Sequence, residues 1–201
     1  MTQKQKTHRL AVAAMLTAVA AVLQFVEFAI PLMPSFIKLD ISDLPALLGT
    51  FSLGPVYGVA IQLAKNLLHL PFGSSAGVGE LSNFILGAVF VFVAGIIYKH
   101  NKSRKSALVG SIAGAAAMAL VSIVTNYFIV YPAYVVLYKL PLEAIVGMYE
   151  AILGGVSHVP TQNALLNCLL VFNVPFTLVK GLLDTALCFL IYKPLSPLLH
   201  R

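Results

Sequence analysis

Residues Asn173–Tyr192 read NVPFTLVKGLLDTALCFLIY, a run long enough to cross a bilayer, with Lys180 near its middle and Asp184 one turn later. An ammonium group at the centre of a membrane helix costs about 3 kcal/mol on insertion scales and far more on others, so it must face protein or water. Asn173, Thr177, Lys180 and Asp184 recur at i, i+4, i+7 and i+11, which is one stripe of a 3.6-residue helix. Two readings follow from that stripe. In one, Asp184 neutralises Lys180 as a structural pair. In the other, Lys180 and Thr177 reach into a cavity and donate hydrogen bonds to a ligand, with Asn173 extending the stripe toward the outer end.

The rest of the chain sets the solvent. Of 201 residues, 59% are hydrophobic and only 10% charged, and the mean hydropathy is +0.91. Soluble domains carry about 25% charge, so this composition describes an integral membrane protein. The 13 Lys+Arg against 7 Asp+Glu give a net +6. Such an excess would suit nucleic acid, but the cations sit at the ends of apolar runs, as membrane topology requires. No nucleic-acid partner is expected; the lipid bilayer is. Cys168 and Cys188 fall on one predicted helix about 30 Å apart at ~1.5 Å per residue, too far to pair.

The expected segments are Leu10 to Ile30, Leu44 to Leu53, Pro55 to Leu70, Glu80 to Tyr98, Ala107 to Val130 and Cys168 to Tyr192. The first follows Lys4, Lys6 and Arg9, as a signal peptide would, but it is long, contains Gln24 and Glu27, and leads into further apolar runs. Gly54-Pro55 divides what would otherwise be one overlong helix. Met33 to Asp43 reads as a polar loop, Tyr131 to Leu166 as partly helical surface structure broken by Pro132, Pro141, Gly154, Gly155 and Pro160, and Lys193-Pro194 as the end of the last span. Six segments form a single transmembrane domain over residues 1–201 with both termini on one side. Lys4, Lys6, Arg9, Lys99, Lys102, Arg104, Lys105, Lys193 and Arg201 then share that side, against Lys38 and Lys139 opposite, so both termini are expected to be cytoplasmic.

Several polar groups fall at one level. Glu80 and Asn83 open the fourth segment, Asn126 lies near the outer end of the fifth, and Lys65 and Asn66 end the third; together they describe a polar-lined pocket in the outer half. Tyr127, Tyr131, Tyr134 and Tyr138 follow helical spacing, either as an interfacial aromatic belt or as a wall for stacking a flat ligand. Ala14 and Ala18, and Gly110 and Gly114, are small-x-x-x-small pairs that allow close helix approach, inside the protein or against another subunit. No glycine precedes a lysine, so there is no Walker A loop, and no His-Glu pair suggests a zinc site. Gly73 to Gly77, GSSAG, matches G-x-S-x-G but links two membrane segments rather than a strand and a helix. It reads as a connecting loop; an intramembrane serine hydrolase using Ser75 with His69 or His158 is the enzyme alternative, and a structural scaffold without a ligand is a third.

Four ordered blocks, KLDISDLPALLGTFSLGPVYGVAIQLAKNLLH (Lys38 to His69), GELSNF (Gly79 to Phe84), NYFIVYPAY (Asn126 to Tyr134) and PFTLVKG (Pro175 to Gly181), give the chain its family character. Together they resemble the riboflavin-specific S component of energy-coupling-factor (ECF) vitamin transporters. The resemblance implies an all-helical bundle of six transmembrane helices, with the vitamin bound as transported ligand rather than cofactor. It also implies a transmembrane coupling subunit and two ATPase subunits as partners. By position it implies Lys180 and Asn126 as hydrogen-bonding ligands and Leu39 with neighbours such as Asp40 as part of a lid. With the polar cluster and stripe above, the expected substrate-binding set is Leu39, Asp40, Glu80, Asn83, Asn126, Tyr127, Thr177 and Lys180. Ala14 and Ala18 are the expected partner-docking pair; no catalytic residue or metal ligand is expected. Thr177 stands where the family often has Asn, which leaves one donor in place of two. An S component for another vitamin is the nearest alternative.

Overall fold

The computed structural model describes residues 2–31, 33–34, 37–73, 75–152 and 163–199, with the side chains of 192–199 excepted. The chain begins with α1 (Gln3–Gln24), whose N-terminus is closed by a capping box between Thr2 and Gln5. A short ribbon follows, β1 (Phe28–Ala29) against β2 (Lys38–Leu39), antiparallel with Phe28 opposite Leu39. Next come α2 (Asp43–Leu53), α3 (Pro55–His69), α4 (Val78–His100) and α5 (Arg104–Thr125). A π turn at Asn126–Val130 joins α5 to α6 (Tyr131–Tyr138), and α7 (Leu142–Ile152) follows. Finally α8 (Ala164–Cys168) passes through a second π turn, Leu169–Asn173, into α9 (Val174–Leu199).

The break between α2 and α3 falls where the sequence puts it. Gly54 has φ +114°, a conformation open to glycine, and Pro55 takes the first position of α3, where its missing N–H costs nothing. Residues Asp43 to Phe51 of α2 are all buried, so this short helix is the axis around which the others pack. Its neighbours bring Leu16 and Ala20 of α1, Ile61 of α3, Phe90 and Ala94 of α4, and Ala115 and Met118 of α5 into one core. A second core joins Val130 and Tyr131 to Ile145 and Tyr149 of α7 and to Leu165, Cys168 and Leu169.

The expected six crossings are only partly matched. Among the described residues the bundle has seven helices when each π turn is counted within its helix, and four are long and apolar enough to cross alone: Gln3–Gln24, Val78–His100, Arg104–Tyr138 and Ala164–Ile191. With 11 and 15 residues, α2 and α3 are too short for a 30 Å hydrocarbon layer. Three expected segments also shift. The first helix is Gln3–Gln24 rather than Leu10 to Ile30, because the Thr2 capping box starts it early and the chain at Phe28–Ala29 pairs with Lys38–Leu39 instead of continuing the helix. The fifth segment runs on to Tyr138, because the wide turn at Asn126–Val130 lets Pro132 sit early in the next helical stretch, where no N–H is needed. The stretch after it is not all surface, since Tyr131 and Tyr149 are fully buried. The last helix continues through Pro194 to Leu199, as a proline can kink a helix without ending it. Gly154, Gly155, His158 and Pro160 lie outside the described residues.

Gly110 and Gly114 serve packing within the bundle. A Cβ at Gly110 would sit 2.7 Å from the Ala94 carbonyl oxygen, and one at Gly114 would strike the Phe90 carbonyl. The two backbones touch along this line. Gly110→Val should therefore destabilise the protein by about 1–3 kcal/mol through overpacking, read as earlier thermal unfolding in detergent, while Gly147→Ala, inside α7 where a Cβ meets nothing within 4 Å, should leave the transition no lower and raise it slightly, since alanine loses less backbone entropy in a helix.

Candidate ligand-binding site

Lys180 is 8% exposed, and its ammonium does not pair with the acid on its own helix. It donates to Asp40 Oδ2 at 2.8 Å and to Asn83 Oδ1 at 3.1 Å, and lies 3.4 Å from Asp43 Oδ2. Asp184 is fully buried, and neither of its carboxylate oxygens has a hydrogen-bond partner among the described residues. The i+4 spacing suggested the wrong partner because side chains on one helix stripe share a direction, whereas the loop before α2 enters from the side and meets Lys180 end-on.

A second lysine completes the cluster. Lys65, also fully buried, donates to Asp43 Oδ1 at 2.5 Å and Ser42 Oγ at 2.6 Å, while Gln62 Nε2 donates to the same Asp43 oxygen at 2.9 Å. Ser42 in turn donates its backbone N–H to Asp40 Oδ1 at 2.9 Å, and its hydroxyl bonds the same oxygen. Asp40 and Asp43 thus flank the start of α2 and bind it to α3 through Lys65 and to α9 through Lys180. Burial works to raise the Asp40 carboxyl, but Lys180 and Lys65 outweigh it, and the group lies below its ordinary value. Because the folded-state value is depressed, the contribution of this contact is present at neutral pH and fades only as pH falls through that value.

Above this cluster lies a cavity of about 290 Å³. Its lining joins the ribbon and its loop (Glu27, Ile37, Lys38, Asp40), the facing ends of α3 and α4 (His69, Glu80, Asn83, Leu86), α5 and its π turn (Met118, Asn126, Val130), α6 (Tyr131, Tyr134) and the last helix (Asn173, Phe176, Thr177, Lys180). Aromatic and aliphatic walls with a few convergent polar groups are what a small-molecule site requires. The two π turns matter here: Asn126 opens one and Asn173 closes the other, and each wide turn places its amide on the cavity wall. Asn173 is fixed from behind. Its Oδ1 accepts from the Tyr149 hydroxyl at 2.6 Å, its Nδ2 donates to the Tyr131 hydroxyl at 3.2 Å, and the two hydroxyls bond each other.

Of the expected residues, Asp40, Glu80, Asn83, Asn126, Thr177 and Lys180 come together on this lining. Leu39 and Tyr127 do not. Leu39 is half-buried in the ribbon, where its neighbour Lys38 lines the cavity and pairs with Glu27, and Tyr127 packs edge-on against Phe128, ring centres 4.9 Å apart. The tyrosine stripe divides: Tyr131 and Tyr134 line the cavity, while Tyr138 is exposed. Gln24, Glu27, His69, Asp43 and Asn173 also line the cavity or its floor. Asn173 and Glu27 had a signal in the sequence, as polar residues in apolar runs. The sequence singles out His69 only as a candidate base of the hydrolase alternative, not as part of a ligand site.

Ser75 is not poised as a nucleophile. Its hydroxyl donates to Glu80 Oε2 at 2.9 Å and accepts from the Gly79 N–H at 2.9 Å, while His69 Nδ1 lies 2.9 Å from Glu80 Oε1. The carboxylate stands between serine and imidazole, so His69 cannot take the hydroxyl proton directly. His158, the other base considered, lies outside the described residues.

Residues 8–192 match the family model of the ECF transporter substrate-specific component. The chain belongs to that family. As a member of a transporter family, it is not an enzyme. Two similar proteins are the riboflavin transporter RibU of Staphylococcus aureus, 34% identical over 98% of this chain and 95% of the relative, and the riboflavin transporter FmnP of Bacillus subtilis, 30% identical over 98% and 96%. A solved S component of a bacterial ECF transporter superposes with a TM-score of 0.73 at 35% identity, covering 99% of this chain and 100% of that one. The fold of the S component is therefore the fold of this membrane protein.

Breaking the floor of the site should be costly. Lys65→Met leaves Asp43 charged and buried, and is expected to destabilise by about 3–5 kcal/mol. Adding Asp43→Leu should recover much of that loss. Chemical denaturation in mixed micelles measures both, and a double variant no more stable than the single one would show that the pair is not the floor's main tie.

Proposed function

We infer that this S component captures riboflavin from outside the cell and presents it for uptake through an ECF complex. The observation that carries the reading is the polar-aromatic cavity into which Lys180 projects, in a chain whose full-length relatives are named riboflavin transporters. Flavin is amphipathic and flat. Ile37, Leu86, Met118, Tyr134 and Phe176 offer its ring system apolar contact, and the polar lining offers hydrogen bonds to its carbonyl edge and ribityl hydroxyls.

Lys180 is suited to a ligand contact despite its ion pair. An ammonium has three donors. Asp40 and Asn83 occupy two, and the third faces Asp43 Oδ2 only at 3.4 Å, too long to compete with a well-placed carbonyl. The same contact with Asp40 fixes the inner end of the loop whose ribbon is the lid in this reading, so the ligand contact and the lid's anchor share one nitrogen. Leu39 belongs to that lid through its ribbon, and Asn83, Asn126, Thr177 and Glu80 are the remaining polar contacts in this reading. Thr177 supplies a single hydroxyl where many relatives would supply an amide, and Asn173, held by two tyrosines, stands one turn away on the same face.

Transport needs partners in this reading: a transmembrane coupling subunit and two ATPase subunits. Ala14 and Ala18 support it, since both are exposed on α1 beside Ala11 and Met15 and leave a shallow strip that a second helix can approach. The distribution of Lys4, Lys6, Arg9, Lys99, Lys102, Arg104 and Lys105 supports placement in the cell membrane with both termini cytoplasmic.

Lys180→Ala should weaken flavin binding by roughly tenfold to a hundredfold, the usual worth of a charge-assisted hydrogen bond, while membrane insertion is retained. Titration calorimetry in detergent measures it, and unchanged affinity would remove Lys180 from the ligand contacts. Ala14→Trp and Ala18→Trp should leave flavin affinity intact and abolish co-purification of the ATPase subunits. Protein purified from flavin-fed cells should be yellow; a colourless preparation carrying a different vitamin by mass spectrometry would favour another substrate on the same scaffold.

A further inference from the structure

A second cavity, of about 260 Å³, lies at the other end of the bundle, where the α4–α5 turn meets the last helix. Its wall is aromatic: Phe51 of α2 and Tyr98 of α4 stack edge-on with ring centres 4.9 Å apart, and Phe189 of α9 faces the same space. Buried Ala107 and Cys188 contribute to the lining, and Lys102 and Arg104 complete it. These two cations are exposed. No acidic residue occurs between Glu80 and Glu143, and among the described residues neither cation has an ion-pair partner.

We propose that this cavity binds an anionic phospholipid, with the phosphate held by Lys102 and Arg104 and the start of an acyl chain laid against Phe51 and Phe189. The chemistry of the lining selects the occupant. A lysine and an arginine flanking one opening form a phosphate site, the guanidinium adding a planar, two-pronged donor. A free inorganic phosphate would use that rim and leave the aromatic wall wet, whereas a lipid uses both. The setting supplies the lipid: Leu108 and Leu190, next in sequence to lining residues Ala107 and Phe189, are 44% and 73% exposed, so the cavity borders the hydrocarbon-facing surface. Basic pockets between membrane helices at the headgroup level recognise anionic lipids by the same combination of charge and apolar contact. The site depends on neither the flavin reading nor the orientation of the chain, because its charge and its walls are the same whichever leaflet it meets.

The chain contains no tryptophan, so Phe189→Trp introduces a single fluorophore at the cavity. Full-length Phe189→Trp protein would be titrated in mixed micelles with phosphatidylglycerol or phosphatidylcholine brominated near the carbonyl end of the acyl chain. Quenching should be half-complete at a phosphatidylglycerol fraction at least about fivefold lower than that for phosphatidylcholine. Adding Lys102→Gln and Arg104→Gln should erase the difference, with the thermal unfolding midpoint unchanged as the check on folding. Equal quenching by the two lipids would overturn the proposal, as would a preference that survives the double substitution. Abolition of the preference by inorganic phosphate at low millimolar concentration would assign the rim to free anion instead. Should the Phe189→Trp protein unfold, native mass spectrometry of the wild-type chain and the Lys102→Gln/Arg104→Gln variant decides the same point: retained phosphatidylglycerol adducts on the former only, or the proposal fails.

Discussion

Two ammonium groups held by the carboxylates at the entrance to α2 are the constraint on which the rest of this molecule depends. Lys65 comes from α3, Lys180 from α9, and Asp40 and Asp43 flank Ser42 at the start of α2. None of these charges is tolerable alone at this depth, since removing one partner of a buried pair strands the other at a cost of several kcal/mol. Their mutual satisfaction therefore fixes three elements at one level, and the cavity is the space left above the knot. Hydrophobic burial alone would let apolar helices slide past one another in lipid, because lipid tails are as apolar as the helix faces. The polar knot gives the bundle its register.

The π turns perform a related task higher in the site. An α-helix that continued regularly through Asn126 or Asn173 would rotate the following residues by a different amount and send those amides elsewhere. One extra residue per turn shifts the phase and leaves Asn126, Tyr131 and Asn173 on the cavity wall. Burial of Tyr149 against this wall also explains why α7, too short to cross a membrane, is part of the core rather than a surface appendage. Its hydroxyl strongly resists ionisation, burial being the first cause and Tyr131 the second, so it remains a neutral donor to Asn173.

Much of this was legible in the residues, and the failures have a common cause. Gly54-Pro55 marked the α2–α3 break because only local backbone chemistry was at stake. The polar stripe on α9 showed that Lys180 faces inward, since helical periodicity alone fixes that direction. Its partner was not legible: Asp184 is four residues away, Asp40 is 140, and sequence spacing carries no information on what a distant loop delivers. Tyr127 and Leu39 illustrate the same limit on a smaller scale, since a one-residue change of phase at a π turn or in a two-residue ribbon decides which of two neighbours meets the cavity. The extent of the fifth helix was missed because Pro132 reads as a terminator unless the wide turn before it is known.

The placement of Asp40 immediately ahead of α2 has a mechanical corollary. The carboxylate at the base of the cavity is joined through Ser42 to the first turn of a helix whose residues 43–51 are all buried. A carboxylate carried on a surface flap could swing without disturbing what lies beneath; this one stands at the end of the central post. Any displacement of Asp40 therefore loads the first turn of α2 as well, and the loop before it cannot shift independently of the core.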